Sequence, residues 1–162
     1  MPRYNADERL LYPWNDTNIQ IFLSKAKCFV DQYSAYFDQS IHMNLDGMKT
    51  FEEDIGDIAG LKASFNAFNR IVTQNLNKIY NDIKLLPNFS QYTPQQLFFL
   101  SYAQKWCRYI TPTQVRIKIL RGVHSPEKYR VNGALSNFAD FSHAFDCPVG
   151  SAMNPGVKCE MW

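Results

Sequence analysis

Two acidic residues, Glu53 and Asp57, stand four apart in the segment TFEEDIGDIAG, which covers residues 50–60. A helical turn takes about 3.6 residues, so a helix would place both carboxylates on one face. Like charges at this spacing destabilise a helix by roughly 0.2–0.5 kcal/mol. The pattern therefore indicates either a solvated helix face or a site that holds a positively charged partner.

A metal ion is the partner that would give these carboxylates chemistry. Glu53 would bind Zn²⁺, and Asp57 would accept a hydrogen bond from the ring of a ligating histidine and fix its tautomer. Such a site needs two histidines on one helix, as in H-E-x-x-H. The chain has only His42, His124 and His143, and none of them has that spacing. If the two carboxylates belong to a metal site rather than to a solvated helix face, that site is therefore incomplete in this chain.

Two further candidate functional residues lie in the segment RGVHSPEKYRVNG, residues 121–133. His124 is either a surface-loop residue or a hydrogen-bond donor to a developing oxyanion. Arg130 is either an ordinary surface arginine or a clamp on a peptide carbonyl or carboxylate. The aromatic residues at 98, 99, 102 and 106 have helical spacing typical of a core, and one edge of this stripe would suit a substrate pocket. Serine-hydrolase, dinucleotide-binding and P-loop motifs are absent from the sequence.

Composition limits what kind of protein can carry these residues. The chain has 162 residues, 46% of them hydrophobic, which suits one domain with a sizeable core. Its net charge of +2 gives no argument for nucleic acid or a membrane surface. No apolar run approaches the roughly 20 residues of a membrane-spanning helix. The first 16 residues lack the apolar stretch of a signal peptide.

Cysteines and glycosylation sequons indicate an oxidising compartment. The four cysteines form no C-x-x-C pair, which disfavours a zinc ribbon, and Asn15 and Asn88 each begin an N-x-S/T sequon. This interpretation conflicts with the missing signal sequence unless the chain is part of a longer precursor.

Helical patterns must position these residues. Apolar residues recur with helical period over 19–36 and again over 51–80, with a break near Asn75, while 40–50 suggests a loop or short extended piece. Thr50, Thr93 and Thr111 each begin a capping-box pattern. Ser125-Pro126 predicts another helix start, and Ser136 or Asn137 one more. The C-terminal tail is rich in proline and glycine, and the chain is expected to be mostly helical with short connections.

Three segments carry a family resemblance: QLFFLSYAQKWC (96–107), VHSPEKYRVNGALSNFADFSHAFDC (123–147) and MNPGVKCEMW (153–162). In order, spacing and end point they resemble the C-terminal end of the neprilysin family of zinc metalloendopeptidases, which includes the endothelin-converting enzymes. TFEEDIGDIAGL then resembles that family's E-x-x-x-D zinc-ligand helix. The resemblance runs from about residue 3 to Trp162.

The resemblance implies a role for each candidate residue. Glu53 resembles the third zinc ligand, and Asp57 the carboxylate that orients a zinc-bound histidine. His124 resembles the histidine that stabilises the tetrahedral transition state, and Arg130 the arginine that contacts substrate beyond the scissile bond. Trp106 resembles a residue lining the pocket for the side chain after that bond.

The sequence also departs from the family pattern. The H-E-x-x-H helix is expected upstream of PRYNADERL and does not occur in the chain, so two zinc ligands and the glutamate base are missing. Lys105 replaces a usually apolar residue beside Trp106, which puts a preference for large apolar side chains in doubt. Glu52 stands where glycine usually precedes the ligand, and Arg108 where glycine is common.

For the cysteines, the resemblance implies a Cys28–Cys159 disulfide. Counterparts of Cys107 and Cys147 pair with cysteines near the N-terminus of the family's ectodomain, so both would be left free here. This arrangement favours a missing N-terminal part.

Together these observations predict a mainly α fold over residues 1–162, the C-terminal helical portion of a neprilysin-like, thermolysin-related catalytic domain without its H-E-x-x-H helix. The implied function is zinc-dependent hydrolysis of small extracellular peptides, with the isolated chain inactive. Expected partners are peptide substrates and the missing N-terminal part, and the implied location is extracellular or a plasma-membrane ectodomain. The alternative is a truncated, non-catalytic paralogue that binds peptides or another protein.

Overall fold

The computed structural model describes residues 16–84 and 87–161, and seven α-helices make up most of this part of the chain. They are α1 (Asp16–Ala35), α2 (Gly47–Gln74), α3 (Leu76–Lys84), α4 (Pro94–Lys105), α5 (Pro112–Arg121), α6 (Glu127–Ser136) and α7 (Ala139–Ala144). Strands β1 (Phe37–Asp38) and β2 (Met43–Asn44) form a short antiparallel pair in which Phe37 lies opposite Asn44. The predicted mainly helical fold is confirmed.

Helix α2 is the 28-residue element that organises the fold. Its buried side chains at positions 54, 58, 61 and 65 follow the three-to-four-residue spacing of one helix face. This face packs against α1 and α6. Glu53 and Asp57 flank the buried stripe, so the same helix supplies apolar side chains to the core and carboxylates to its edge.

Aromatic rings and one disulfide form the centre of the main core. The Phe65 ring centroid lies 4.9 Å from that of Phe99 and 5.3 Å from that of Phe138. A disulfide joins Cys28 on α1 to Cys159 in the C-terminal tail, with the two Cα atoms 5.6 Å apart. The disulfide implied by the family resemblance is therefore present, and it holds the tail against α1.

Helix α6 approaches α1 closely because residue 133 is glycine. A Cβ atom at Gly133 would overlap the ring of Tyr33, which is fully buried on α1. This contact sets how closely α6 packs against α1. Arg130, one turn before Gly133 on α6, is positioned by the same packing.

Some helix boundaries differ from the prediction. Thr50 does not cap α2, which begins at Gly47, where the backbone N–H donates to Ser34 Oγ at 3.1 Å. The hydroxyl of Thr50 instead donates to Asp54 Oδ2 at 2.7 Å. A tertiary contact from α1 thus replaces the local capping box, and the predicted loop over 40–50 ends four residues early, at Asp46.

The starts of α6 and α7 lie slightly beyond the predicted positions. Helix α6 begins at Glu127 with Pro126 at its N-cap, and α7 follows Phe138 rather than Ser136 or Asn137. The side chain of Ser125 is directed to α2 instead of the helix start. The predicted capping boxes at Thr93 and Thr111 are confirmed, as is the helix break at Asn75.

Candidate functional site

The structure brings all five predicted site residues together on the face formed by α2, α6 and the end of α4. Glu53 and Asp57 project from α2, His124 precedes α6, and Arg130 lies on α6. Trp106 follows the last residue of α4 and contacts Arg130. Residues separated by more than 70 positions in the chain thus share one surface.

Glu53 faces His124 across the open edge of this surface. Glu53 Oε2 lies 3.1 Å from His124 Nε2, and about half of each side chain remains exposed, 45% and 52% respectively. Exposed pairs of this kind are screened by water and contribute about 0–1 kcal/mol. The contact therefore adds little to stability, and both groups remain accessible to a ligand.

Asp57 binds Arg130 in a largely buried, two-point interaction. Arg130 Nε and Nη2 each donate to a different carboxylate oxygen of Asp57 at 2.6 Å. Only 11% of the Asp57 side chain and 15% of the Arg130 side chain are exposed. These hydrogen bonds raise the pKa of Arg130 above its usual value, although burial acts against this. The two-point geometry holds the guanidinium plane in one orientation.

Trp106 provides the apolar wall behind this guanidinium. The Arg130 Cζ atom lies 4.0 Å from the Trp106 ring centroid, a cation–π distance. Tyr102 Oη donates to the Arg130 carbonyl at 3.3 Å. Burial, followed by the negative charge of Asp57, raises the pKa of the Tyr102 phenol well above its usual range. Lys105 Nζ lies 5.4 Å from the same Trp106 ring, so the surface beside the indole is cationic.

Asp54 is a site-adjacent carboxylate that the sequence interpretation missed. It is fully buried and accepts hydrogen bonds from Thr50 Oγ1 at 2.7 Å and Ser125 Oγ at 3.2 Å. Burial raises its pKa to about 7 against the effect of these hydrogen bonds. Its Oδ1 atom is buried without a hydrogen-bond partner. The available signal was its place on the apolar stripe of α2, where a carboxylate is unusual.

Glu127 forms a second polar cluster that the sequence interpretation missed. Its nearly buried carboxylate accepts hydrogen bonds from Arg108 and Lys118. An acidic side chain in the first turn of a helix also interacts favourably with the helix dipole. The cluster ties the chain after α4, and helix α5, to the start of α6. No local pattern connects these three residues in the sequence.

The residues described here fit only part of a zinc site. Glu53 offers an accessible carboxylate oxygen, a ligand type that Zn²⁺ accepts. Within residues 16–84 and 87–161, however, no group of three or more histidine, cysteine, aspartate or glutamate side chains lies close enough to hold a metal ion. In this structure the positive partner of Asp57 is Arg130, and that of Glu53 is His124 when the imidazole is protonated.

The remaining predicted sites are the two unpaired cysteines and the two glycosylation sequons. Cys107 is exposed and Cys147 half-buried, and both are free. Asn88 lies in an exposed turn with φ of 63°, so its side chain is accessible for the predicted glycosylation. Asn15 and the N-terminal segment examined for a signal peptide lie outside the described residues. No helix in the described ranges has the length and apolar character to span a membrane.

Comparison with known proteins defines the class to which this fold and site belong. The sequence profile of peptidase family M13 matches residues 3–161, nearly the full length. The chain therefore belongs to peptidase family M13, the neprilysin and endothelin-converting enzyme family.

Particular relatives show how much of such a protein the chain represents. It is 39% identical over 159 residues to an endothelin-converting enzyme homolog of Locusta migratoria, covering 98% of the chain and 21% of that protein. It is 38% identical over 149 residues to Neprilysin-2 of Drosophila melanogaster, covering 92% of the chain and 18% of the relative. The chain thus spans about a fifth of the length of these relatives.

A solved structure gives the same fold. The zinc metalloprotease Zmp1 of Mycobacterium tuberculosis, in complex with an inhibitor, superposes with a TM-score of 0.83 at 25% identity. The match covers 98% of this chain and 24% of Zmp1.

Proposed function

We propose that this chain is the C-terminal portion of a zinc metalloendopeptidase catalytic domain that cleaves small extracellular peptides. The observation that carries the proposal is the pairing of Glu53 with His124 beside that of Asp57 with Arg130. Two residues of α2 and two residues about 70 positions later thus form one polar face, in which the Glu53–His124 pair is accessible and the Asp57–Arg130 pair is largely buried. Membership of peptidase family M13 supports the reaction class.

Glu53 would supply one zinc ligand, and the other ligands would come from a segment outside these 162 residues. When bound, zinc would polarise the scissile carbonyl and activate a water molecule. Asp57 would orient a histidine ligand through whichever carboxylate lone pairs Arg130 leaves free.

His124 and Arg130 would act on the substrate. The half-exposed imidazole of His124 lies beside Glu53 and would donate a hydrogen bond to the oxyanion that develops on the attacked carbonyl. Asp57 occupies Nε and one Nη2 proton of Arg130, which leaves the other guanidinium N–H groups available for a substrate carbonyl or carboxylate. The fixed guanidinium would hold the peptide without a further loss of side-chain freedom.

Trp106 would line the pocket for the side chain that follows the scissile bond. Its indole supplies apolar area, whereas the nearby Lys105 ammonium adds positive charge. Pocket selectivity is therefore expected to differ from a simple preference for large apolar residues. An extracellular or membrane-ectodomain location, with glycosylation at Asn15 and Asn88, is proposed from the family resemblance and the sequons.

A chimeric peptidase tests the proposal. This chain would replace the matching 159-residue segment of the Locusta relative, and hydrolysis of a fluorogenic peptide would be measured. We expect chelator-sensitive hydrolysis that zinc restores, and no hydrolysis by the isolated 162-residue chain because it lacks H-E-x-x-H. In the chimera, His124→Gln is expected to lower kcat about 100-fold or more. A folded chimera without activity, or an isolated chain with chelator-sensitive activity, would contradict the proposal.

A non-catalytic peptide-binding module is the second candidate. It is favoured by the pairing of Glu53 with His124 and of Asp57 with Arg130, because neither pairing requires a metal. This alternative predicts that the isolated chain binds peptides through Arg130 and Trp106, and that EDTA leaves binding unchanged. Calorimetry on the chain and on its Arg130→Met variant would separate it from the peptidase fragment, for which no peptide binding by the chain alone is expected.

A further inference from the structure

Asp54 occupies a position between the two ion pairs of the site. It lies between Glu53 and Asp57 on α2, with its side chain fully buried beneath them. One of its oxygens accepts hydrogen bonds from Thr50 on its own helix and from Ser125 in the segment before α6. Ser125 is itself 1% exposed and directly follows His124.

The contacts between α2 and the 124–130 segment therefore have an ordered arrangement. Glu53 meets His124 at the exposed edge, and Asp54 meets Ser125 beneath them. Asp57, one turn after Glu53 on α2, meets Arg130, which lies six residues after His124. The exposed contact is screened by water, whereas a buried hydrogen bond is not, so the Asp54–Ser125 contact is better suited to fix the backbone of the turn.

We propose that Asp54 is a positioning residue for His124. Its buried carboxylate holds Ser125 against α2, and this contact places the neighbouring imidazole next to Glu53. The catalytic consequence rests on the proposed function, because His124 is assigned to the oxyanion there. The placement of the His124 imidazole by Asp54 and Ser125 does not depend on the proposed function and can be tested in this chain alone.

The unsatisfied oxygen of Asp54 supports a positional role over a purely stabilising one. Asp54 Oδ1 is buried without a hydrogen-bond partner, which destabilises the fold. An apolar residue would fill the stripe of α2 without that cost. The carboxylate does what an apolar residue cannot, since it accepts hydrogen bonds from Thr50 and Ser125 at the same oxygen.

Nuclear magnetic resonance of the isotopically labelled chain tests the proposal directly. The readouts are the ring signals of His124 and the cross-relaxation contact between that ring and the Glu53 side chain. Asp54→Leu and Ser125→Ala are expected to abolish the contact and to move the His124 signals toward those of exposed His143. Asp54→Asn is expected to retain the contact, because its amide oxygen can still accept both hydrogen bonds.

Asp38 provides the matched control. It is a second buried aspartate, and it accepts hydrogen bonds from Ser40 and Tyr129 rather than from Ser125. Asp38→Leu is expected to leave the His124 signals unchanged. Thermal unfolding of every variant reports whether it is folded, and Ser125→Ala, which removes only one hydroxyl, decides the question if Asp54→Leu does not fold.

The same variants in the chimeric peptidase provide a kinetic readout. Asp54→Leu and Ser125→Ala are expected to lower kcat about 10-fold with little change in KM, since a small displacement of a catalytic group acts on the transition state. Asp54→Asn is expected to restore kcat. An unchanged His124–Glu53 contact in folded Ser125→Ala would overturn the inference. A chimera without any peptidase activity would instead overturn the proposed function, and the spectroscopic result would then decide whether Asp54 positions His124.

Discussion

Two regions of this molecule are stabilised by different means. The disulfide core contains the Cys28–Cys159 bond and the packed rings of Phe65, Phe99 and Phe138. The carboxylate face contains Glu53, Asp54 and Asp57 with their partners His124, Ser125 and Arg130. Both regions draw on α2, which contributes apolar side chains to one and acids to the other.

The comparison indicates that the disulfide core mainly stabilises the fold, whereas the carboxylate face mainly presents polar groups. Buried apolar area and a covalent link stabilise the disulfide core. The carboxylate face includes a half-exposed pair and a buried oxygen without a partner, arrangements that add little stability or reduce it. Unfavourable local arrangements of this kind are retained where function requires them.

Removing the disulfide is expected to have the largest effect on stability. Replacing both Cys28 and Cys159 with serine opens a loop with a sequence separation of 131 residues. The chain-entropy account predicts a loss of about 4–5 kcal/mol in the free energy of unfolding. Urea titration would measure it.

Cys107→Ser is the matched control, since Cys107 is exposed and unpaired, and a change within about 0.5 kcal/mol is expected. A loss below about 1 kcal/mol in the double variant would remove the disulfide from the account of the core.

Truncation of Phe99 is expected to have the next largest effect. Its ring is 1% exposed and stacks on Phe65 at 4.9 Å, so Phe99→Ala should cost about 4 kcal/mol through lost burial and a cavity. Phe89→Ala, at a ring that is 46% exposed in a turn, should cost less than about 1 kcal/mol. Equal losses for the two rings would show that the aromatic core is not where the structure places it.

Breaking the largely buried Asp57–Arg130 ion pair is the strongest stability test of the carboxylate face. Asp57→Asn leaves the Arg130 guanidinium without its counter-charge in a largely buried position, which should cost about 3 kcal/mol. The exposed Lys27–Asp31 pair on α1 is the control, and Asp31→Asn should change stability by less than about 0.5 kcal/mol. If the two variants unfold alike, the Asp57–Arg130 pair does not fix Arg130.

Neutralising Glu53 is expected to show most clearly that the carboxylate face contributes less to stability than the disulfide core does. Glu53→Gln removes only a half-exposed contact with His124, so the chain should lose less than about 1 kcal/mol. A loss comparable with that of Phe99→Ala would mean that Glu53 is part of the structural framework rather than an accessible ligand. Differential scanning calorimetry of both variants makes the comparison.

The smallest expected effect is a pH dependence from Asp38, a buried carboxylate in neither region. Burial raises its pKa, but hydrogen bonds from Ser40 and Tyr129 outweigh this and lower it below 3.8. The resulting stabilisation is fully present above the unfolded pKa and is lost as pH falls through the folded pKa. Asp38→Asn should therefore flatten the acid limb of a melting-temperature profile, where pH falls below the ordinary pKa of an aspartate. An unchanged acid limb would show that the hydrogen bonds of Asp38 do not favour its ionised form.

The two regions were also unequally predictable from sequence. Helical periodicity located the apolar stripe of α2, and the capping boxes at Thr93 and Thr111 were read correctly because both depend on neighbouring residues. The cap of α2 was missed because Ser34 supplies it from another helix. Residue types and family motifs named five candidate site residues, which the structure brings onto one face, but they did not reveal that Arg130 pairs with Asp57 or that Asp54 contacts Ser125. Such partners are set by tertiary packing, which leaves no local period.

We propose above that Glu53 is the zinc ligand that this chain contributes. The most direct test is metal analysis of the purified chimeric peptidase carrying Glu53→Gln, with Glu52→Gln as its control, because Glu52 is the exposed neighbouring acid. We predict that Glu53→Gln loses most of its zinc and that Glu52→Gln retains it. Equal zinc content in the two folded variants would contradict the assignment of Glu53.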